Sequence, residues 1–162
     1  MSNSTIPQYS YQSSAGPSWQ LPANSADTIM PGDLLYFDTG TNTARPITAA
    51  STQSTDFCGV ALGEYPPSSN VDNSVSAAPA FISVSLGGVH KGQFDTNGDS
   101  YTPGCVIYAG ADQRHITTTQ PGSAPAIGYY WDFNTLTITG TGAEQPQWRP
   151  VVQWPTTALS SH

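Results

Sequence analysis

Charge is scarce in this chain. Only 9% of its 162 residues are Asp, Glu, Lys or Arg, and four basic residues stand against eleven acidic ones, for a net charge of −7. The basic residues Arg45, Lys91, Arg114 and Arg149 are scattered. A nucleic-acid backbone is held by clustered Lys and Arg that displace its counterions, so nucleic acid is not an expected partner. Long apolar runs are also missing. No stretch approaches the roughly eighteen residues of a membrane helix, and no membrane partner is expected. Met1-Ser2-Asn3-Ser4 has neither the basic start nor the apolar core of a secretory signal, which points to a product made in a cytoplasm. With only two cysteines, Cys58 and Cys105, in strand-like contexts, the expectation is two small buried hydrophobes and no disulfide. Those two, with the dispersed His90, His115 and His162, lack the spacing of metal ligands. No metal and no cofactor is expected.

What is plentiful argues against long helices. Fourteen prolines and fifteen glycines run through the whole length, and each interrupts a helical hydrogen-bond ladder. Short runs of Val, Ile, Thr and Tyr between turn residues point to an all-β fold, a small barrel or sandwich. One phrase occurs twice, as Pro31-Gly32-Asp33-Leu34-Leu35-Tyr36 and Pro103-Gly104-Cys105-Val106-Ile107-Tyr108. Each copy reaches an Ile-Thr pair, Ile47-Thr48 or Ile116-Thr117. Twelve residues after each isoleucine comes a glycine in an apolar run, Gly59 or Gly128. Isoleucine follows tyrosine by eleven positions in one copy and by eight in the other, which places a longer hairpin tip in the first. Two copies are too few for a solenoid, and fit two halves of one small β domain.

The expected layout is an extended N-terminal arm over residues 1–26, a β domain over 27–142 and an extended C-terminal tail over 143–162. Within the domain the two modules span 28–64 and 101–139. The arm is rich in Ser and Gln, yet carries Tyr9, Tyr11 and Trp19 as possible anchors on a neighbouring surface. The segment from Ala80 to Phe94 reads as one long strand with a bend at Gly87-Gly88. Three prolines between Glu144 and Pro155 exclude a central strand there. Trp148, Arg149 and Trp154 are therefore expected on an extended tail that packs on something.

No catalytic constellation emerges. Asp95-Thr96-Asn97-Gly98-Asp99 resembles the start of a calcium loop, but where that motif needs its glutamate this chain has Val106, and a turn explains the run better. No serine sits in a Gly-x-Ser-x-Gly elbow. The only glutamates are Glu64 and Glu144, while aspartates such as Asp38, Asp72 and Asp112 occupy turn contexts, so paired carboxylates for sugar hydrolysis are not indicated. The aromatics Trp19, Tyr129, Tyr130, Trp131, Trp148 and Trp154 could line a carbohydrate platform. Alternation in a strand lets at most two of Tyr129, Tyr130 and Trp131 share a side, and core or subunit interface is the better expectation for them.

The run from Pro103 to Gln113, followed by Ile116-Thr117 and Ala126-Ile127-Gly128, resembles the phrasing of capsid decoration (cement) proteins of tailed bacteriophages. Pro31 to Gly63, ending in Gly59-Val60-Ala61-Leu62, is similar to the companion phrase, and Val89 to Phe94 to the segment that joins the two. The resemblance covers residues 28–140. Cys105 stands where the family has Asp, and the first hairpin is three residues longer. The resemblance implies a small, β-tulip-like, non-enzymatic protein made in the host bacterial cytoplasm and carried on the outer capsid surface of the virion. Its implied partners are the major capsid protein and itself, as a homo-oligomer with a trimer favoured. Its implied contact residues are Tyr9, Tyr11, Trp19, Trp148, Arg149 and Trp154. The rival expectations are another phage component, such as a head fibre or tail protein, and a carbohydrate-binding β module.

Overall fold

The structure, a computed structural model, describes residues 16–66, 80–94, 99–138 and 145–155. It is nearly all β, with 41% strand against 6% helix. The first sheet contains β1 (Ser18–Pro22), β2 (Leu34–Asp38), β3 (Thr43–Pro46), β4 (Phe57–Ala61) and β5 (Phe81–Ser85) in the antiparallel order β1-β5-β4-β2-β3. One short helix, α1 (Ala50–Gln53), runs into a 3-10 turn at Ser54–Asp56 between β3 and β4. Then come β6 (His90–Lys91), β7 (Gln93–Phe94), β8 (Ser100–Tyr101), β9 (Val106–Ala109), β10 (His115–Thr117), β11 (Gly128–Tyr130), β12 (Leu136–Thr137) and β13 (Gln147–Pro150). The second sheet has the order β6-β13-β11-β9-β10-β7, and β8 pairs with β12 as a separate ribbon.

Both sheets curl until one chain segment joins their two edges. In the second, β6 and β7 lie at opposite edges but are separated only by Gly92, and β7 pairs parallel to β10. In the first, β1 sits at one edge, and Ala23, the next residue, bridges parallel to Ala44 at the other. Each half is thus a small barrel-like unit of the same topology. Ala23 bridging Ala44 corresponds to Phe94 pairing with Ile116.

The duplication holds residue by residue. At both Pro-Gly turns the residue after the glycine donates to the residue before the proline, Asp33 to Met30 and Cys105 to Thr102. Gly32 and Gly104 take φ of 93° and 81°, the left-handed position that a type II turn reserves for glycine. Leu35 then pairs with Gly59, and Ile107 with Gly128. These two glycines admit the neighbouring strand. A Cβ on Gly59 would lie 2.3 Å from the Ser85 carbonyl oxygen, and one on Gly128 would lie 2.2 Å from that of Arg149.

Register corrects the alignment made on sequence. Phe37 pairs with Ala44, and Ala109 with Ile116, so Ile116 corresponds to Ala44 and not to Ile47. The two hairpins are equal in length. The extra residues lie after β3, where Gly59 follows Ala44 by fifteen positions and Gly128 follows Ile116 by twelve, and the longer connection holds α1 and its 3-10 turn. Packing compensates the swapped sizes, since a large residue faces a small one in each pair.

The expected boundaries also shift. The first unit begins at β1, inside the stretch read as an arm, and the second ends at β13, inside the stretch read as a tail. The segment read as one strand is divided at Gly87-Gly88 between the two sheets, β5 in one and β6 and β7 in the other. β13 lies between β6 and β11, a central position that the prolines were taken to forbid. It is tolerated because Pro146 precedes the strand and Pro150 ends it. The Pro146 carbonyl accepts from Gly92 N–H and the Gln147 carbonyl from Trp131 N–H, so no buried ladder position asks a proline for a donor.

Alternation divides the core in two. Leu35, Phe37, Cys58, Ala61, Ile82 and Val84 fill the first unit. Leu34, Phe57 and Val60 point the other way and join Ile107, Ile116, Tyr130 and Trp148 of the second. A bulge between Leu35 and Tyr36 pairings leaves Cys58 as the extra residue of β4, which is how Phe57 and Val60 reach the same side. Cys58 and Cys105 pack against different cores and both are free thiols.

Candidate functional site

The contact between the units sets the frame for every exposed surface. Leu34 N–H donates to the Gln113 carbonyl at 2.7 Å, and the Arg114 guanidinium pairs with Asp33 at 3.1 Å. Asp33 is fully buried and also accepts from Met30 N–H at 2.9 Å. Burial raises its pKa, against the lowering effect of the Met30 hydrogen bond and of Arg114. Between the units a cavity of about 50 Å³ is walled on one side by Met30, Pro31, Gly32, Leu34 and Val60, and on the other by residues that include His90, Ile116 and Trp148. His90 is buried, with Nε2 at 3.0 Å from the Gly87 carbonyl and 3.1 Å from Ser85 Oγ. Desolvation lowers its pKa, so the neutral ring is the favoured form.

The chain then doubles back. After β13, Gln153 and Trp154 both donate backbone N–H groups to the Phe57 carbonyl, at 2.8 and 3.1 Å. Trp154 stacks on Phe37 at 4.1 Å and meets Trp19 at 5.6 Å. Trp19 and Trp154, each near an end of the described chain, therefore meet at one pole of the first unit. There Trp19 is 43% exposed, while Phe81, 52% exposed, lies further along β5, paired with Pro22.

A second apolar surface covers the outer face of the second sheet. Val106, Tyr129, Trp131, Val151 and Phe133 are all exposed, Phe133 at 97%. Val106 is paired with Tyr129, and Tyr129 with Arg149, whose guanidinium lies 4.8 Å from the Trp131 ring centroid. Beside them Pro103, Gly104, Tyr130, Trp131 and Phe133 line an open apolar groove. Asp132 at its rim is held below the usual carboxylate range by hydrogen bonds from the N–H groups of Asn134 and Phe133.

The expected contact residues separate into groups. Trp19 and Trp154 come together at the pole, and Arg149 lies on the second surface. Trp148 is a correction: at 1% exposure, against Phe57 and His90, it belongs to the core. Its place in a central strand, which the prolines seemed to exclude, is the reason. Tyr9 and Tyr11 lie outside the described residues. Of Tyr129-Tyr130-Trp131, the outer two face solvent and Tyr130 faces the core, as alternation requires. Sequence reasoning missed Val106 and Phe133 as surface residues. Val106 looks like core because its counterpart Leu34 is core. The signal for Phe133 is an aromatic inside an Asp-Phe-Asn turn, a setting that cannot bury it.

Of the calcium-like run, Asp99 is buried and accepts from Thr117 Oγ1 at 2.9 Å, while 95–98 lie outside the described residues. Among the described residues no group of three or more His, Cys, Asp or Glu is placed to hold a metal ion. Among the same residues no helix is long and apolar enough to cross a membrane. No protein-family profile matches the chain, and no curated protein matches it.

Proposed function

We propose that this protein is a non-enzymatic virion structural protein that binds the outside of an assembled phage capsid and bridges capsomers. The observation that carries the reading is the duplication in register. The Pro-Gly turn, the apolar strand and the partner glycine on which the resemblance to decoration proteins rests occupy equivalent sites in both units. They form one turn-and-strand unit built twice, and that unit is what the resemblance is read from. The convergence of Trp19 and Trp154 adds a second support, because two of the expected contact residues meet at one pole, where a neighbouring surface can engage both. A protein that binds the assembled shell better than its free subunits stabilises the shell by mass action, and two segments acting together raise the effective concentration of each contact.

Co-sedimentation of the full chain with undecorated capsids, mature and immature, tests the proposal. Saturable binding to mature shells with a raised particle melting temperature is expected. Deleting 1–15 together with 156–162 should weaken that binding at least about tenfold, the equivalent of 1.4 kcal/mol. Failure to bind either shell would sink the reading and turn attention to a sugar ligand.

A further inference from the structure

We propose that the outer face of the second unit is a docking surface for a second copy of this chain, which seats its Trp19 pole there. The internal repeat supplies the template. The wall of the first unit that covers the second is Met30, Pro31, Gly32, Leu34 and Val60. By register their counterparts are Thr102, Pro103, Gly104, Val106 and Tyr129. The first five are half-buried or buried; all five counterparts are exposed. The chain thus carries the same contact surface twice and fills it once.

The complementary surface is also duplicated. Within the chain, that wall rests on the end of the second unit at His90, Arg114, Ile116 and Trp148. Since Trp19 pairs with Val84 as His90 pairs with Trp148, Trp19 is the counterpart of His90, and Asn42 that of Arg114. Where His90 is 2% exposed beneath its cover, Trp19 is 43% exposed. Ala44 and Val84, the counterparts of Ile116 and Trp148, are fully buried, and Trp154 packs on Phe37 and Trp19 at that end from within the chain. The half-exposed Trp19 beside Trp154 and the uncovered face of the second unit are the two surfaces left for a second copy. Each carries exposed aromatic side chains, and exposed apolar patches of this kind mark contact sites. Because the two halves differ, the contact is heterologous and copies add head to tail.

Analytical ultracentrifugation of the full chain over a concentration series, without capsids, tests this with Val106→Lys, Trp19→Lys and their equimolar mixture. The wild-type mass should rise past that of a dimer, and each variant alone should remain a monomer. The mixture should recover dimers and nothing larger, because one partner keeps an intact pole and the other an intact face. Unchanged circular dichroism and melting curves certify the fold, and Tyr129→Lys replaces Val106→Lys if the latter unfolds. A wild-type protein monomeric at every concentration overturns the proposal. So does a Trp19→Lys variant that assembles like wild type, since the face would then bind itself. With shells absent the outcome is independent of capsid binding: a protein that self-associates but ignores capsids would leave this inference standing and remove only the decoration reading.

Discussion

Gly128 offers a sharp test of the duplicated architecture. A Cβ at this position would lie 2.2 Å from the Arg149 carbonyl oxygen and 2.7 Å from Cε3 of the buried Trp148. An ordinary carbon–oxygen contact needs about 1 Å more, and neither obstacle can yield cheaply. The carbonyl belongs to β13, a central strand, and the indole is fixed in the core. Overpacking of this kind costs 1–3 kcal/mol and occasionally more. With both a backbone and a core ring to displace, Gly128→Ala should destabilise by about 3 kcal/mol. For a chain of this size each kcal/mol moves the melting temperature by about 2–4 °C, so a fall of about 6–12 °C is expected by calorimetry. Gly63→Ala is the control, because nothing lies within 4 Å of a Cβ there. It should leave stability unchanged or slightly raised through the restricted unfolded chain. A Gly128→Ala protein within about 0.5 kcal/mol of wild type, the usual range for innocuous surface changes, would refute the close approach of β11 and β13.

Trp148→Ala should cost about 3–5 kcal/mol by denaturant unfolding, the range for emptying a buried aromatic site, whereas Trp19→Ala, at a half-exposed pole, should cost far less. Two buried groups contribute to the pH dependence with opposite signs. Asp33 has its folded pKa raised by burial, so its contribution is complete below the unfolded value and is lost as pH rises through the folded one; Asp33→Asn should flatten the stability curve just above pH 4. His90 has its folded pKa lowered. Above about pH 6.5 it is neutral in both states, and below that the unfolded chain alone takes up the proton, so stability should fall on acidification, a slope that His90→Gln removes. Burial pushes the Cys58 thiol well above its ordinary pKa, and Cys58 is fully enclosed while Cys105 is half-buried. A thiol reagent should therefore label native protein at Cys105 alone, as read by peptide mass analysis.

What the residues alone determined here is local and repetitive. Pro-Gly followed by an apolar run specifies a turn and a strand wherever it occurs, because proline presets φ and glycine accepts the positive φ that follows. Scattered prolines and glycines excluded long helices on the same grounds, and two such phrases announced two related units. The alternation in Tyr129-Tyr130-Trp131 likewise named the inward ring. The tertiary structure decided everything that depends on which strand lies beside which. Strand closure recruits β1 and β13, two segments too short and too rich in polar residues or proline to announce themselves. Only pairing register showed that Ala44, not Ile47, matches Ile116, because α1 and its 3-10 turn absorb a difference that linear spacing assigned to the hairpin. The fates of Leu34 and Val106 are the plainest case. They hold the same place in the same phrase, yet one is core and the other surface, because burial there is set by whether a second unit stacks on the strand, and no local sequence carries that information.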